Sequence, residues 1–94
     1  MSVKYKEKAG IEFVYSKSED MTIIHAIAQD SELPEIMARL EPGLKPAWKL
    51  RIWNYTKHTD IFEGVCPRGR AFAEKVAREV IRGCFSRLGK RRRM

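Results

Sequence analysis

The sequence predicts an α+β domain in which helices cover one face of a small three-stranded antiparallel or mixed sheet. Two periodicities support this prediction. Polarity alternates with a period of two near the N-terminus and again after residue 47, as is typical of strands. Apolar residues recur at spacings of three and four in residues 20–40 and 70–89, as is typical of helices. The predicted order is β-β-α-α-β-α.

The first two elements are predicted to form a β-hairpin. Residues 3–8 and 11–16 both alternate in polarity, and Ala9 and Gly10 lie between them. A two-residue connection that contains glycine is typical of hairpins, although Ala-Gly is a weaker turn signal than Asn-Gly.

Two short helices are predicted to follow the hairpin. The first covers residues 20–29, because acidic residues precede a run in which Ile24 and Ile27 recur at helical spacing. The second follows Ser31, a candidate N-cap, and ends before Pro42. Its apolar positions are Leu33, Ile36, Met37 and Leu40.

The last two elements are a core strand and a longer helix. Trp48, Leu50 and Ile52 alternate with polar residues and predict the third strand. A polar loop over residues 56–64 is expected to lead to a helix that begins after Gly69 and ends at Gly89. Residues 1–89 therefore form one predicted domain, and residues 90–94 form a basic tail.

Positive charge is concentrated in the second half of the chain. Residues 1–45 contain 6 basic and 8 acidic residues, and residues 46–94 contain 13 basic and 4 acidic residues, so the halves carry net charges of −2 and +9. Segregated positive charge is typical of proteins that bind nucleic acids, because neutralising phosphates releases counterions. The same charge also suits an acidic protein surface.

The outward face of the third predicted strand is the first candidate site. Lys49, Arg51, Trp53, Tyr55 and Lys57 occupy alternate positions and are predicted to line up on one face of the strand. Such a face presents cations to phosphates and aromatic rings to unpaired bases. The structural alternative is that both aromatic residues pack under a helix while the cations extend past its edge.

The C-terminal helix and the loop before it supply the remaining candidate residues. Arginines next to a helix N-terminus favour phosphate binding, but the loop lacks the Lys-Ser/Thr pair of a P-loop. The polar face of the helix is cationic, as is also expected of a solvated helix face, and Glu74 and Arg78 are spaced for an ion pair. The candidate nucleic-acid-binding residues here are Arg68, Arg70, Lys75, Arg78, Arg82, Lys90, Arg91, Arg92 and Arg93.

The sequence therefore predicts a small non-enzymatic module that binds nucleic acid. The alternative is a protein-interaction or regulatory module, acting as a homodimer or as an adaptor for an acidic partner, with Trp53 and Tyr55 at the interface. A thin sheet would leave an edge or a face open for a second subunit.

A small enzyme is the third alternative. Cys66 precedes a helix N-terminus and two nearby arginines, Arg68 and Arg70, and His58 lies in the preceding loop. The Cys-x5-Arg spacing of phosphatases is absent, and no second histidine lies at metal-ligand spacing from His58, so no metal or cofactor is predicted. The chain has neither an apolar run of about 18 residues nor a signal-peptide pattern, which predicts a cytoplasmic protein without a membrane span.

Overall fold

The computed structural model describes residues 2–6, 10–30 and 32–92, with side chains for residues 10–30 and 32–87. Six strands precede a single long helix in this part of the chain. The elements are β1 (Ser2–Lys6), β2 (Ile11–Lys17), β3 (Thr22–Ala28), β4 (Ile36–Pro42), β5 (Trp48–Asn54), β6 (Thr59–Cys66) and α1 (Arg70–Arg92). Five of the strands, β2 to β6, lie in the part whose side chains are described.

The strands form one antiparallel sheet in which each strand pairs with the next along the chain. Among the described residues, β1 and β6 are therefore the two edges of the sheet. Sequential antiparallel strands need only short connections, and the turns between β2 and β6 are all short.

One face of the sheet is buried under α1, which packs against β4 and β5, and we call it the covered face. Period-two alternation places Phe13, Ile24, Ala38 and Ile52 on this face, and none of these side chains is exposed. The helix contributes a buried seam to the same core. Its members are Ala73, Ala77, Ile81, Cys84 and Phe85.

The opposite face of the sheet, the open face, is covered by no described element. Val14, His25, Met37 and Trp53 lie side by side on it in neighbouring strands and are half-buried. Apolar residues thus occupy the centre of a sheet face that α1 does not cover.

The predicted three-stranded sheet with several helices is wrong, because both predicted short helices are strands. Ile24 and Ile27 are separated by three positions, but they lie on opposite faces of β3. A strand with apolar residues on both faces produces three- and four-residue spacings by coincidence. The β-branched residues of this segment, Thr22, Ile23, Ile24 and Ile27, favour the extended conformation.

Three other boundaries differ from the prediction. The expected polar loop over residues 56–64 is largely β6, an edge strand whose exposed positions include the polar residues Thr59, Asp60 and Glu63. The predicted third strand is β5, and it ends at Asn54. The helix continues through Gly89 to Arg92, so residues 90–92 of the predicted tail are helical.

The N-terminal hairpin agrees with the prediction at the level of its strands. β1 pairs antiparallel with β2, and Lys6 is the register partner of Glu12. Gly10 adopts a φ of +78°, which glycine accommodates without strain. Glu7 and Lys8 of the first predicted strand and Ala9 of the predicted turn lie outside the described residues.

Gly83 lies in the middle of α1, where glycine is unfavourable because it loses the most backbone entropy on folding. A Cβ built at this position meets no atom within 4 Å. We expect Gly83→Ala to raise the free energy of unfolding by about 0.5 to 1 kcal/mol and the melting temperature by about 2 to 8 °C. Thermal and urea unfolding measure both quantities. Gly69→Ala is the contrasting control and should destabilise the protein, because the φ of Gly69 is +100°.

Candidate nucleic-acid interface

Most of the net charge of the protein resides on α1. The helix contains eight Lys and Arg residues against two Glu residues, a net charge of +6 out of +7 for the whole chain. The remaining 71 residues are therefore close to neutral, with 11 basic and 10 acidic residues. A cationic helix on a neutral sheet concentrates the positive potential along one side of the molecule.

A groove of about 650 Å³ runs between α1 and β2, and we call it the basic groove. It is an open cleft on the flank of the helix that faces the N-terminal strands. Four of its seven lining residues are cations and two are carboxylates. The lining consists of Tyr15, Lys17, Glu74, Lys75, Arg78, Glu79 and Arg82.

The cations of the basic groove differ in how strongly they are held. Arg78 donates from Nη1 to the phenolic oxygen of Tyr15 at 2.8 Å. Arg82 donates from Nη1 to Glu79 Oε1 at 3.2 Å and lies 5.8 Å from the centre of the Phe13 ring. Lys75 is exposed and has no carboxylate partner among the described side chains. The groove therefore combines two positioned guanidinium groups with one ammonium group that is free to move.

Glu74 lies at the inner end of the basic groove and is only 6% exposed. Its Oε1 accepts from Lys17 Nζ at 3.0 Å, and its Oε2 accepts from the buried hydroxyl of Thr22 at 3.0 Å. Arg70 Nε is 3.7 Å from the same Oε2. These contacts differ from the predicted pairing of Glu74 with Arg78, whose side chain contacts Tyr15 instead. Glu74 thus joins α1 to β2 and β3.

Arg70 begins α1 and binds the turn between β2 and β3. Its Nη2 donates to the carbonyl oxygens of Ser18 at 2.6 Å and Met21 at 2.8 Å, and its Nε donates to Thr22 Oγ1 at 2.9 Å. The guanidinium also lies 4.9 Å from the centre of the Trp48 ring. These contacts use the donors that a phosphate would need, so the structure places this candidate residue in a structural role.

The candidate residues of β5 lie on the open face, on the opposite side of the sheet from α1. Lys49, Arg51 and Trp53 share this face as predicted. Arg51 Nη2 contacts Asp60 Oδ1 at 2.9 Å, and the hydrogen bond and charge of Asp60 raise the pKa of Arg51. The same guanidinium lies 5.1 Å from the centre of the Trp53 ring and partly covers it.

The open face carries positive and negative charges in nearly equal number. By register, three cations and four carboxylates of β2 to β6 lie on it, and Lys4 and Lys6 of β1, the register partners of Val14 and Glu12, add two cation positions on the same side of the sheet. Arg39 pairs with Glu41, as Arg51 pairs with Asp60. The charged residues of β2 to β6 on this face are Glu12, Arg39, Glu41, Lys49, Arg51, Asp60 and Glu63.

Tyr55 and Lys57 do not continue this face, because both lie in the turn after β5. Tyr55 is 46% exposed, and its ring lies 5.8 Å from that of His25 and 6.3 Å from that of His58. The predicted row of five side chains on one strand is therefore wrong at its last two members.

The other candidates lie near the two ends of α1. Arg68 is exposed in front of the helix, with its guanidinium 5.2 Å from the centre of the Phe72 ring. The backbone of residues 90–92 forms the last turn of α1. Arg93 lies outside the described residues.

Sequence reasoning missed Tyr15 and Lys17, which form the β2 wall of the basic groove. Tyr15 is 63 positions from Arg78, its hydrogen-bond partner. Local periodicity correctly predicted that Tyr15 lies on a strand. Only the packing of α1 against the sheet brings Tyr15 close to the cationic helix.

The residues of the enzymatic alternative do not meet in one site. Cys66 is the last residue of β6 and is buried, whereas His58 immediately precedes the first residue of that strand. A strand of this length separates the two residues by more than about 20 Å. Within residues 10–30 and 32–92, no cluster of three His, Cys, Asp or Glu residues is arranged to hold a metal ion.

In the described part of the chain, no helix combines the length and apolarity needed to cross a membrane. No protein-family model, curated protein or solved structure matches this chain.

Proposed function

We propose that this protein is a non-enzymatic module that binds nucleic acid, with α1 and the basic groove contacting the phosphate backbone. The observation that carries the proposal is the segregation of charge, because α1 alone accounts for +6 of the net charge of +7. Neutralising phosphates with such a surface releases condensed counterions, which supplies most of the affinity of sequence-independent binding.

The chemistry of the basic groove suits phosphate oxygens. Arg78 is held in place by the neutral phenol of Tyr15 at 2.8 Å before a ligand arrives, whereas Arg82 pairs with Glu79 at 3.2 Å and would exchange that carboxylate for a phosphate. Guanidinium groups bind phosphate oxygens through two parallel hydrogen bonds, and Lys75 adds a mobile point charge. Contacts of this kind position a nucleic acid but read no sequence directly.

The open face contributes less to this function. By register its five cations are opposed by four carboxylates, and Arg51 is already paired with Asp60 at 2.9 Å. A phosphate that approached Arg51 would have to displace a carboxylate and would still meet Glu63 beside it. We therefore assign phosphate binding to α1 rather than to the basic and aromatic face of β5.

A pair of charge reversals tests this assignment. Lys75 and Lys49 are both exposed and have no carboxylate partner among the described side chains, but they lie on opposite sides of the sheet. We expect Lys75→Glu to weaken binding of labelled single-stranded and duplex DNA and RNA by about five- to tenfold at low salt. Lys49→Glu makes the same change in net charge and should alter affinity by less than about twofold. Fluorescence polarisation with nuclease-treated protein measures both.

Salt dependence supplies the second readout. If about four cations contact phosphates, log K should fall against log salt concentration with a slope of about −3 to −4, and Lys75→Glu should reduce the magnitude of that slope by about 1. Equal effects of both reversals would assign binding to net charge rather than to α1. An absence of binding at low salt would reject nucleic acid as the partner.

A protein partner on the open face is the second candidate, and the apolar centre of that face favours it. Val14, Ile23, Ile27, Met37 and Trp53 lie there without a covering element among the described residues. Contiguous apolar surface on a sheet is typical of protein interfaces. If this surface is the functional one, Trp53→Ala abolishes partner binding while nucleic-acid affinity is unchanged.

A further inference from the structure

The two edges of the sheet differ in how they are protected against pairing with another strand. The edge strand β1 has lysine at two of its five positions, Lys4 and Lys6, and lysine on an edge discourages such pairing. The other edge strand, β6, has no Lys or Arg in eight residues. Its side chains include Phe62, which is 38% exposed, and Val65, which is 64% exposed.

An apolar groove lies next to the β6 edge, on the flank of α1 that is opposite the basic groove. It has a volume of about 170 Å³. Phe62, Cys66 and Pro67 line it from the strand side, and Phe72 and Val76 line it from the helix. Phe72 is 37% exposed, so apolar surface continues from the strand edge onto the helix.

We propose that β6 pairs antiparallel with β6 of a second copy of this chain, which would join two six-stranded sheets into one. The difference between the edges supports this occupant, because a dimer through β6 leaves only the lysine-bearing β1 edges at its ends and therefore closes. The proposal does not rest on nucleic-acid binding.

The sequence of β6 is self-complementary under a two-fold axis. Residues that face each other in an antiparallel pair lie on the same side of the sheet, and side chains alternate in side along each strand. The two-fold axis must therefore pass through a residue and not between two residues. The candidates near the middle of β6 are Phe62, Glu63 and Gly64. An axis at Glu63 would place two carboxylates opposite each other, which is unfavourable. An axis at Phe62 would run across the register shift at Ile61, where the alternation of sides along β6 is interrupted. The axis therefore passes through Gly64, which pairs Phe62 of each copy with Cys66 of the other on the side of the sheet that α1 covers.

The distribution of charge is compatible with this dimer, although each copy carries a net charge of +7. Lys75, Arg78 and Arg82 line the basic groove on the β2 side of α1, away from the proposed axis. The flank that faces the axis presents Phe72 and Val76, with the guanidinium of Arg68 lying 5.2 Å from the centre of the Phe72 ring. The basic grooves of the two copies would therefore lie on the outer sides of the dimer.

Sedimentation velocity of nuclease-treated protein from about 1 to 300 µM tests the proposal. We expect a reversible monomer–dimer equilibrium, with a dissociation constant that changes little between low and high salt. Phe62→Lys and, as a second edge variant, Val65→Lys should each raise this constant at least tenfold. Leu44→Lys is the matched control, because Leu44 is 90% exposed in the turn between β4 and β5 and lies outside β6.

Hydrogen exchange locates the interface independently of these variants. Amides of residues 59–66 should become more protected as the protein concentration rises, while those of β1 should not change. A monomer over the whole concentration range would overturn the proposal, and so would a dimer that persists in both edge variants. A dimer that forms only when nucleic acid is added would also overturn it.

Discussion

Replacing Glu74 with alanine should lower the free energy of unfolding by about 3 to 5 kcal/mol, a large fraction of the stability of a domain of this size. The side chain of Glu74 is 8% exposed, and its carboxylate accepts from Lys17 and Thr22 at 3.0 Å each. Its removal leaves the buried Thr22 hydroxyl without its acceptor and Arg70 without its nearby negative charge. Unpaired buried polar groups carry the full cost of their lost hydration.

Glu79→Ala is the matched control for this prediction. Glu79 is the other acidic residue of α1, but its side chain is 62% exposed and it pairs only with Arg82 among the described contacts. Exposed pairs contribute about 0 to 1 kcal/mol, so this variant should unfold in urea almost as the wild type does. Glu74→Gln should lie between the two. Equal midpoints for the two alanine variants would show that the contacts of Glu74 add nothing to stability.

The sequence predicted β2, β5 and α1 as the elements they are. It predicted β4 as a helix, although β4 also buries only one face, because its apolar residues include Met37 at helical spacing from Leu33 and Leu40. β2 and β5 each bury one side, so their period of two is unambiguous, and α1 has a clear buried seam. β3 is apolar on both sides, with Ile24 and Ala26 on one and Ile23 and Ile27 on the other. Such a segment matches a helical template as well as it matches a strand, and strand pairing with β2 and β4 decides between them.

The candidate site could be predicted only in part, because local sequence patterns do not show which cations are paired through tertiary contacts. The cations of α1 follow from the sequence, because helical spacing alone assigns them to one element. Whether a cation is free depends on residues far along the chain. Arg51 is paired by Asp60 across a hairpin, and Arg70 is bound by Ser18 and Met21, about 50 positions away. No local pattern distinguishes these arginines from Arg78.

Arg70 provides the second large effect on stability. Positive charge at a helix N-terminus opposes the helix dipole, so an arginine that begins α1 is unfavourable by local rules. Tertiary contacts reverse this preference, because the guanidinium binds three turn carbonyls and the Thr22 hydroxyl and lies over the Trp48 ring. We expect Arg70→Ala to lower the free energy of unfolding by about 2 to 4 kcal/mol. Arg70→Lys should retain only a small part of the stabilisation that Arg70 provides, because an ammonium group cannot reproduce the planar set of donors of a guanidinium group.

Arg68→Ala separates the structural role of Arg70 from a role in binding. Both variants remove one positive charge near the start of α1, but Arg68 is exposed and contacts only the Phe72 ring among the described residues. Its removal should lower the free energy of unfolding by less than about 1 kcal/mol. At a temperature where all variants are folded, Arg70→Ala and Arg68→Ala should change nucleic-acid affinity by similar small factors. A large loss of affinity in Arg70→Ala with wild-type stability would instead assign Arg70 to the phosphate-binding surface, because it would show that the turn between β2 and β3 does not need the guanidinium.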